Sequence, residues 1–257
     1  MYPYLRLGPF LLQLPALALL AGVWIGSFLA EKEASRLKLP TAPMNNLIFL
    51  GLAASVIGAR LAYAGRYLNV YLANPLSLFA INGNTLATFD GLVIGLAAAA
   101  LYGWRKKLSL RPTLDALAPG LAAFMLFLGA AHFLGGDAFG EPANLPWSIY
   151  LWNEYRHPSQ IYEILAALGI FFVAYRRPFT QPGRGVNFLL IVTLSSAARI
   201  FLEAFRGDSL IWPGGFRATQ IIALGLLGFG LYWMSKWAQP NSTTGEAAYA
   251  QFSEGAQ

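Results

Sequence analysis

Seven apolar stretches dominate the sequence, at about residues 8–29, 44–65, 85–104, 113–134, 159–175, 187–206 and 217–236. Each comes close to the roughly 20 residues that carry a helix across the hydrocarbon of a bilayer. No water is available there to satisfy backbone N–H and C=O groups, so such stretches fold as helices that bond internally. Composition agrees. Of 257 residues 56% are hydrophobic and only 12% charged, whereas a soluble domain devotes about a quarter of its residues to charge. The expected fold is an all-α integral membrane protein with about seven transmembrane helices, forming one domain over residues 1–238.

Loop charges orient it. Lys32, Arg36, Lys38, Arg105, Lys106, Lys107, Arg111, Arg176, Arg177, Arg184 and Lys236 fall on one side, and only Arg6, Arg66, Arg156, Arg206 and Arg217 on the other. Lysine and arginine concentrate on the cytoplasmic side, which predicts the N-terminus outside and the C-terminus in the cytoplasm. The net charge of +6 is spread over short loops rather than gathered in a stripe, so nucleic acid is not an expected partner. The first apolar run is longer than a signal-peptide core and contains Pro9 and Pro15, so it reads as a retained span. Residues 239–257 are polar and read as a disordered cytoplasmic tail. With no cysteine in the chain, disulfides, thiolate metal sites and a cysteine nucleophile are excluded.

Two outer connections read as interfacial arms: residues 66–84, and residues 137–158 with Trp147, Trp152 and several tyrosines. Tyr and Trp favour the headgroup layer because each has an apolar body and a polar tip. Both arms lie outside, which places the working face there.

Ionisable residues inside spans are costly and must pair or line a wet cavity. In "RIFLEAFR", Arg199, Glu203 and Arg206 share one helix face. This face reads equally as an ion pair locking helices together or as guanidinium donors for a phosphate. In "AAHFLGGDAFG", His132 and Asp137 flank a Gly135-Gly136 break where a helix can end. Asp90 precedes Gly91 at the outer start of the third span and suits a helix N-terminus; Asp115 fits a capping role more strongly. Arg60 either snorkels to headgroups or turns to one of these carboxylates. In "RHPSQIYE", Pro158 can open the fifth helix, and Ser159, Gln160 and Glu163 can serve its first turn. That capping role leaves the pairing of Tyr162 with Glu163 unexplained.

"HPSQIYE" resembles the HPSQLYE segment of bacterial prolipoprotein diacylglyceryl transferases. The resemblance continues in order along most of the chain, through "GARLAY", "FDGLVIG", "LDALAPG", "RIFLEAFR" and the "TQ" opening the last span. It implies transfer of a diacylglyceryl group from phosphatidylglycerol to the lipobox cysteine of a prolipoprotein, giving a thioether and glycerol phosphate. The implied partners are phosphatidylglycerol or a related phospholipid, the prolipoprotein signal peptide and the membrane. No cofactor or metal is implied, and the location is the bacterial inner membrane. On the matching positions, Asp90 or His132 stands as base, Arg199 and Arg206 face the phosphate, and Glu203 orients Arg199. Arg60, Asp137, Gly140, His157, Gln160, Tyr162 and Glu163 line the substrate cavity.

The chain also departs from that pattern. In "LGAAHFLGGDAFG" the family's arginine falls on Gly129, its asparagines on His132 and Gly135, and its glutamate on Asp137. The histidine of the third span becomes Asp90. Two other readings therefore stand beside a divergent transferase. One is a noncatalytic lipid- or lipoprotein-binding paralogue; the other is a transferase for another lipid or acceptor. A transporter would show an internal repeat or matched broken helices, and neither is present in the sequence.

Overall fold

The first apolar run does not begin as a helix. The structure, a computed structural model, describes residues 3–8, 10–79, 85–176 and 183–239, and opens with two antiparallel strands, β1 (Tyr4–Leu7) and β2 (Phe10–Gln13). Gly8, at φ +61°, lies between them. Helix α1 (Leu14–Arg36) then starts at its proline, because the N–H that Pro15 lacks is an orphan in a first turn anyway. It runs past the apolar window into charged residues, where buried Glu33 accepts a 2.5 Å hydrogen bond from Arg36 Nη2.

The remaining elements follow the expected spans closely. They are α2 (Thr41–Arg66), α3 (Leu68–Ala73) with a 3-10 turn over Pro75–Phe79, α4 (Thr88–Arg105) and α5 (Leu110–Gly135). A second two-stranded ribbon, β3 (Ile149–Leu151) and β4 (Glu154–Arg156), precedes α6 (Ser159–Arg176). Then come α7 (Val186–Leu202), extended by a 3-10 turn over Glu203–Phe205, and α8 (Ala218–Trp237). Among the described residues five helices are long and apolar enough to cross a membrane: α1, α2, α5, α7 with its extension, and α8. α4 and α6, at 18 residues each, carry polar groups near their starts, Asp90 in the first turn of one, and Ser159 and Gln160 in the first turn of the other with Glu163 just after it. The chain is a helical, multi-pass integral membrane protein.

Small residues bring the helices together. α1 packs chiefly on α5, α2 on α4, α5 on α6, and α7 on α8. A Cβ at Gly120 would lie 2.3 Å from Gly26 O, and one at Gly95 would lie 2.6 Å from Gly51 O. In lipid, where apolar side chains gain nothing by leaving the solvent, such close backbone approach supplies the dispersion contacts that hold helices. Between α1, α2, α4 and α5 runs an almost wholly apolar cleft of about 390 Å3, lined by residues such as Gly26, Ser27, Gly51, Ser55, Gly95 and Leu121.

Asp115, expected to serve its own helix, serves another. Its carboxylate accepts the backbone N–H groups of Gly183, Gly185 and Phe188 at 2.9–3.1 Å, capping the N-terminus of α7. Residue 115 lies in the second turn of α5, whose own orphan donors are already behind it, whereas α7 has Gly185 at its N-cap and no capping side chain of its own. Most of the tail, from residue 240 onward, lies outside the described residues.

Candidate active site

The glycine break ends α5 as the sequence suggests. Gly136 takes a left-handed φ of +79°, and its N–H donates to His132 O at 2.8 Å. His132 is thereby fixed in the last turn. From there the chain folds back on itself: Gly140 bridges Arg206, Pro142 bridges Arg156, and His157 N–H donates to Glu141 O at 3.0 Å. Arg156 stitches this loop internally through Gly140 O, Leu151 O and Glu154. No side chain fits at Gly140, since its Cβ would lie 2.2 Å from His157 O.

That contact seats "RHPSQIYE" at the head of α6. Ser159 and Gln160 do not feed the helix's own first-turn donors. Instead Ser159 Oγ donates to Ala138 O at 2.5 Å, and Gln160 Nε2 donates to Asp137 O at 2.9 Å. The Asp137 and Ala138 carbonyls of the loop after α5 take these side-chain donors, as backbone groups outside regular structure do. Gln160 is completely buried.

Three helix ends then meet. Glu163 Oε2 lies 2.8 Å from His132 Nδ1, and Glu163 Oε1 accepts from Arg199 Nη1 at 3.3 Å. Arg199 Nε lies 3.2 Å from Glu203 Oε2, the i,i+4 pair expected from the sequence. This last contact is electrostatic rather than a directed hydrogen bond, because the N–H does not aim at the oxygen. Glu203 is 1% exposed, whereas the side chains of His132 and Arg199 are 25% and 30% exposed. Below them is a cavity of about 50 Å3, lined by Met125, Leu128, Glu163, Ser195, Arg199 and others.

Beside this cluster, Tyr162 Oη accepts from Trp147 Nε1 at 2.8 Å and lies 3.4 Å from His157 Nδ1. His157, Tyr162 and Phe205 pack edge to face. Arg206 binds Asp208 through two 2.8 Å hydrogen bonds. Arg217, which the sequence marks only as a loop charge, gathers Glu203 O, Arg206 O, Ser209 Oγ and Glu141. It fixes the turn that carries Glu203 and Arg206. Its position just ahead of the last span is the only hint the sequence offers.

Other candidate residues stand apart. Asp90 pairs with Arg66 at 2.6 Å on the α2–α4 side. Arg60 donates to Leu78 O, Ser77 O and Thr85 O, holding the connection after α3 to α2 rather than pairing with a described carboxylate. Asp137 is exposed and contributes its backbone carbonyl to Gln160.

The chemistry of the cluster follows from donor counting. An ionised carboxylate only accepts, so the His132 ring must donate from Nδ1 to Glu163, which leaves Nε2 with a lone pair as a proton acceptor. Arg199 is held through Nε and Nη1, and neither contact uses Nη2. An imidazole able to accept a proton and a guanidinium able to donate to an anion therefore flank one glutamate at a single end of the bundle.

The family model for prolipoprotein diacylglyceryl transferase matches residues 3–236. The chain belongs to the prolipoprotein diacylglyceryl transferase family. It is 29% identical over 208 residues to the phosphatidylglycerol–prolipoprotein diacylglyceryl transferase of Clostridioides difficile, covering 80% of this chain and 84% of that protein. It is 30% identical over 257 residues to the protein of the same name from Synechococcus sp., covering 89% and 91%. Against the one from Gloeobacter violaceus it is 28% identical over 249 residues, covering 90% and 91%.

Gly129, at the position where the resemblance sets a family arginine, is buried where α5 meets α6. A Cβ there would lie 2.8 Å from Ile164 Cγ1 and 3.4 Å from Ile164 N. The glycine lets α6 approach, and Glu163, the neighbour of Ile164, meets His132 across that same interface.

Proposed function

We propose that this chain transfers a diacylglyceryl group from phosphatidylglycerol to the lipobox cysteine of a prolipoprotein. Membership of the family and the names of its relatives support the reaction. The observation in this chain that carries it is the convergence of His132 and Arg199 on Glu163. His132 Nε2 takes the thiol proton, and the sulfur attacks the diacylglyceryl carbon bonded to phosphate oxygen. The C–S bond forms as the C–O bond breaks, and glycerol phosphate leaves with the electron pair. Arg199, anchored by Glu203, meets the charge that grows on the phosphate. Such charge stabilisation at a preset position is commonly the largest catalytic contribution. Arg206 stands nearby to assist, while His157, Gln160, Tyr162 and Gly140 shape the wall of the site.

Asp90 is the weaker candidate for the base, since its carboxylate is already engaged by Arg66 at 2.6 Å. The apolar cleft between α1, α2, α4 and α5 suits acyl chains. All seven long helices span the bacterial inner membrane in this reading, N-terminus outside, as one domain with two interfacial arms and a cytoplasmic tail. Detergent-purified protein given phosphatidylglycerol and a lipobox peptide should add a diacylglyceryl mass to the peptide thiol. Absence of that mass, with authentic lipid and peptide present, contradicts the reading.

Gly129 favours a second reading, a lipid- or lipoprotein-binding protein without catalysis, because no arginine fits against Ile164. Tight phosphatidylglycerol binding without product selects it.

A further inference from the structure

Glu163 holds its two partners unequally. The His132 contact is 2.8 Å and the Arg199 contact 3.3 Å, each made by a different carboxylate oxygen. Glu203, on the 3-10 turn that extends Arg199's helix and 1% exposed, keeps the Nε end in place. The Nη end is thus the movable one, and the cavity of about 50 Å3 beside Glu163 and Arg199 gives it room. Charge points the same way. The groups facing Glu163 are His132 from α5, Arg199 from α7 and, more distantly, Arg206, which is held by Asp208, while Glu203 of the 3-10 turn pairs with Arg199. With a neutral imidazole, the His132–Glu163–Arg199–Glu203 group holds two carboxylates and one guanidinium. A proton on His132 brings it to neutrality.

We propose that Glu163 is a positioning residue that couples the two halves of the reaction, releasing Arg199 to the departing phosphate as His132 takes up the thiol proton. This rests on the transferase reading above. Before proton transfer Glu163 competes with the lipid phosphate for Arg199, which weakens ground-state binding of the anion. Afterwards the imidazolium satisfies the carboxylate, and the guanidinium turns to the phosphate when charge develops there. Binding is thereby reserved for the transition state, where it raises the rate. No atom is transferred to or from Glu163 itself: the proton rests on His132 Nε2 and passes to solvent after glycerol phosphate departs.

The test compares glycerol phosphate affinity with turnover in full-length, detergent-solubilised protein. Glu163→Gln removes the competing charge; with its amide oxygen toward Arg199, which can only donate, its N–H faces His132 Nδ1 and places the ring proton on Nε2, where the base is needed. It should bind glycerol phosphate about 5-fold or more tightly than wild type, as the loss of a nearby like charge implies. Its kcat should fall by about 100-fold or more, the scale of a lost general base. Glu163→Asp, which keeps the charge but shortens its reach to Arg199, should also bind tighter while keeping more of kcat than the glutamine variant. His132→Asn should lose kcat with glycerol phosphate affinity within about 2-fold of wild type, since it removes the base and spares Arg199. A purely structural glutamate would weaken binding and turnover together. Unchanged or weaker glycerol phosphate binding in both Glu163 variants overturns the coupling. Binding is read without lipid or peptide, so a wild-type protein that makes no thioether overturns the transferase reading alone.

Discussion

His132 Nδ1 and Glu163 Oε2 lie 2.8 Å apart across the α5–α6 interface, 31 residues apart in the chain. The pair fixes the imidazole in the tautomer that leaves the Nε2 lone pair open to a proton. Replacing His132 with glutamine should lower the rate of thioether formation by about 100-fold or more, with phosphatidylglycerol binding retained. Single-turnover rates set beside lipid binding make the comparison; a variant with wild-type turnover would show that the base lies elsewhere.

Arg199 is bound by two carboxylates on different elements, and its planar fork matters to both contacts. Arg199→Lys keeps the charge and loses the fork. Its kcat should fall by about 100-fold or more, as when a donor is lost to a developing oxyanion. Arg199→Ala should fall at least as far. A lysine variant near wild-type turnover would mean that charge alone suffices and that the two anchoring carboxylates are dispensable.

Gly140 touches the backbone of His157 so closely that an added Cβ must push one strand of the loop away. Gly140→Ala should cost about 1–3 kcal/mol, the range of overpacking a tight contact. It should also lower turnover, because the displaced segment leads directly into Tyr162 and Glu163. Thermal unfolding in detergent and the peptide-modification rate measure the two effects.

Asp115 offers the contrasting case, at the opposite end of α5 from His132. Asp115→Ala strands the N–H groups of Gly183, Gly185 and Phe188, at about 1–3 kcal/mol per unsatisfied buried donor. The melting temperature should drop, with kcat below the transition within about 2-fold of wild type, the expectation for a site with no shared partners. A large loss of kcat in still-folded protein would tie this cap to the chemistry.

Apolar run length and loop punctuation made the helices legible, because the bilayer leaves helices as the open-chain solution. The Arg199–Glu203 pair and the Gly135–Gly136 break were legible for the same kind of reason, since both are local and follow helix geometry. The strands at Tyr4–Gln13 were not, because a Leu-rich hairpin is as apolar as a helix and only the turn at Gly8 and the start at Pro15 separate them. Long-range partners were hidden too. Nothing beside Asp115 says that its donors lie about 70 residues onward, and nothing beside Glu163 names His132 and Arg199. Ser159 and Gln160 misled because first-turn polar residues usually serve their own helix, whereas here the loop after α5 had the greater need.

The most direct measurement counts both products of one reaction. Protein is incubated with phosphatidylglycerol and a lipobox peptide carrying either cysteine or serine, and released glycerol phosphate is counted against lipidated peptide. The account expects one glycerol phosphate per thioether with the cysteine peptide, neither product with serine, and loss of both in Arg199→Ala. Glycerol phosphate released without thioether, or full activity in Arg199→Ala, would contradict it.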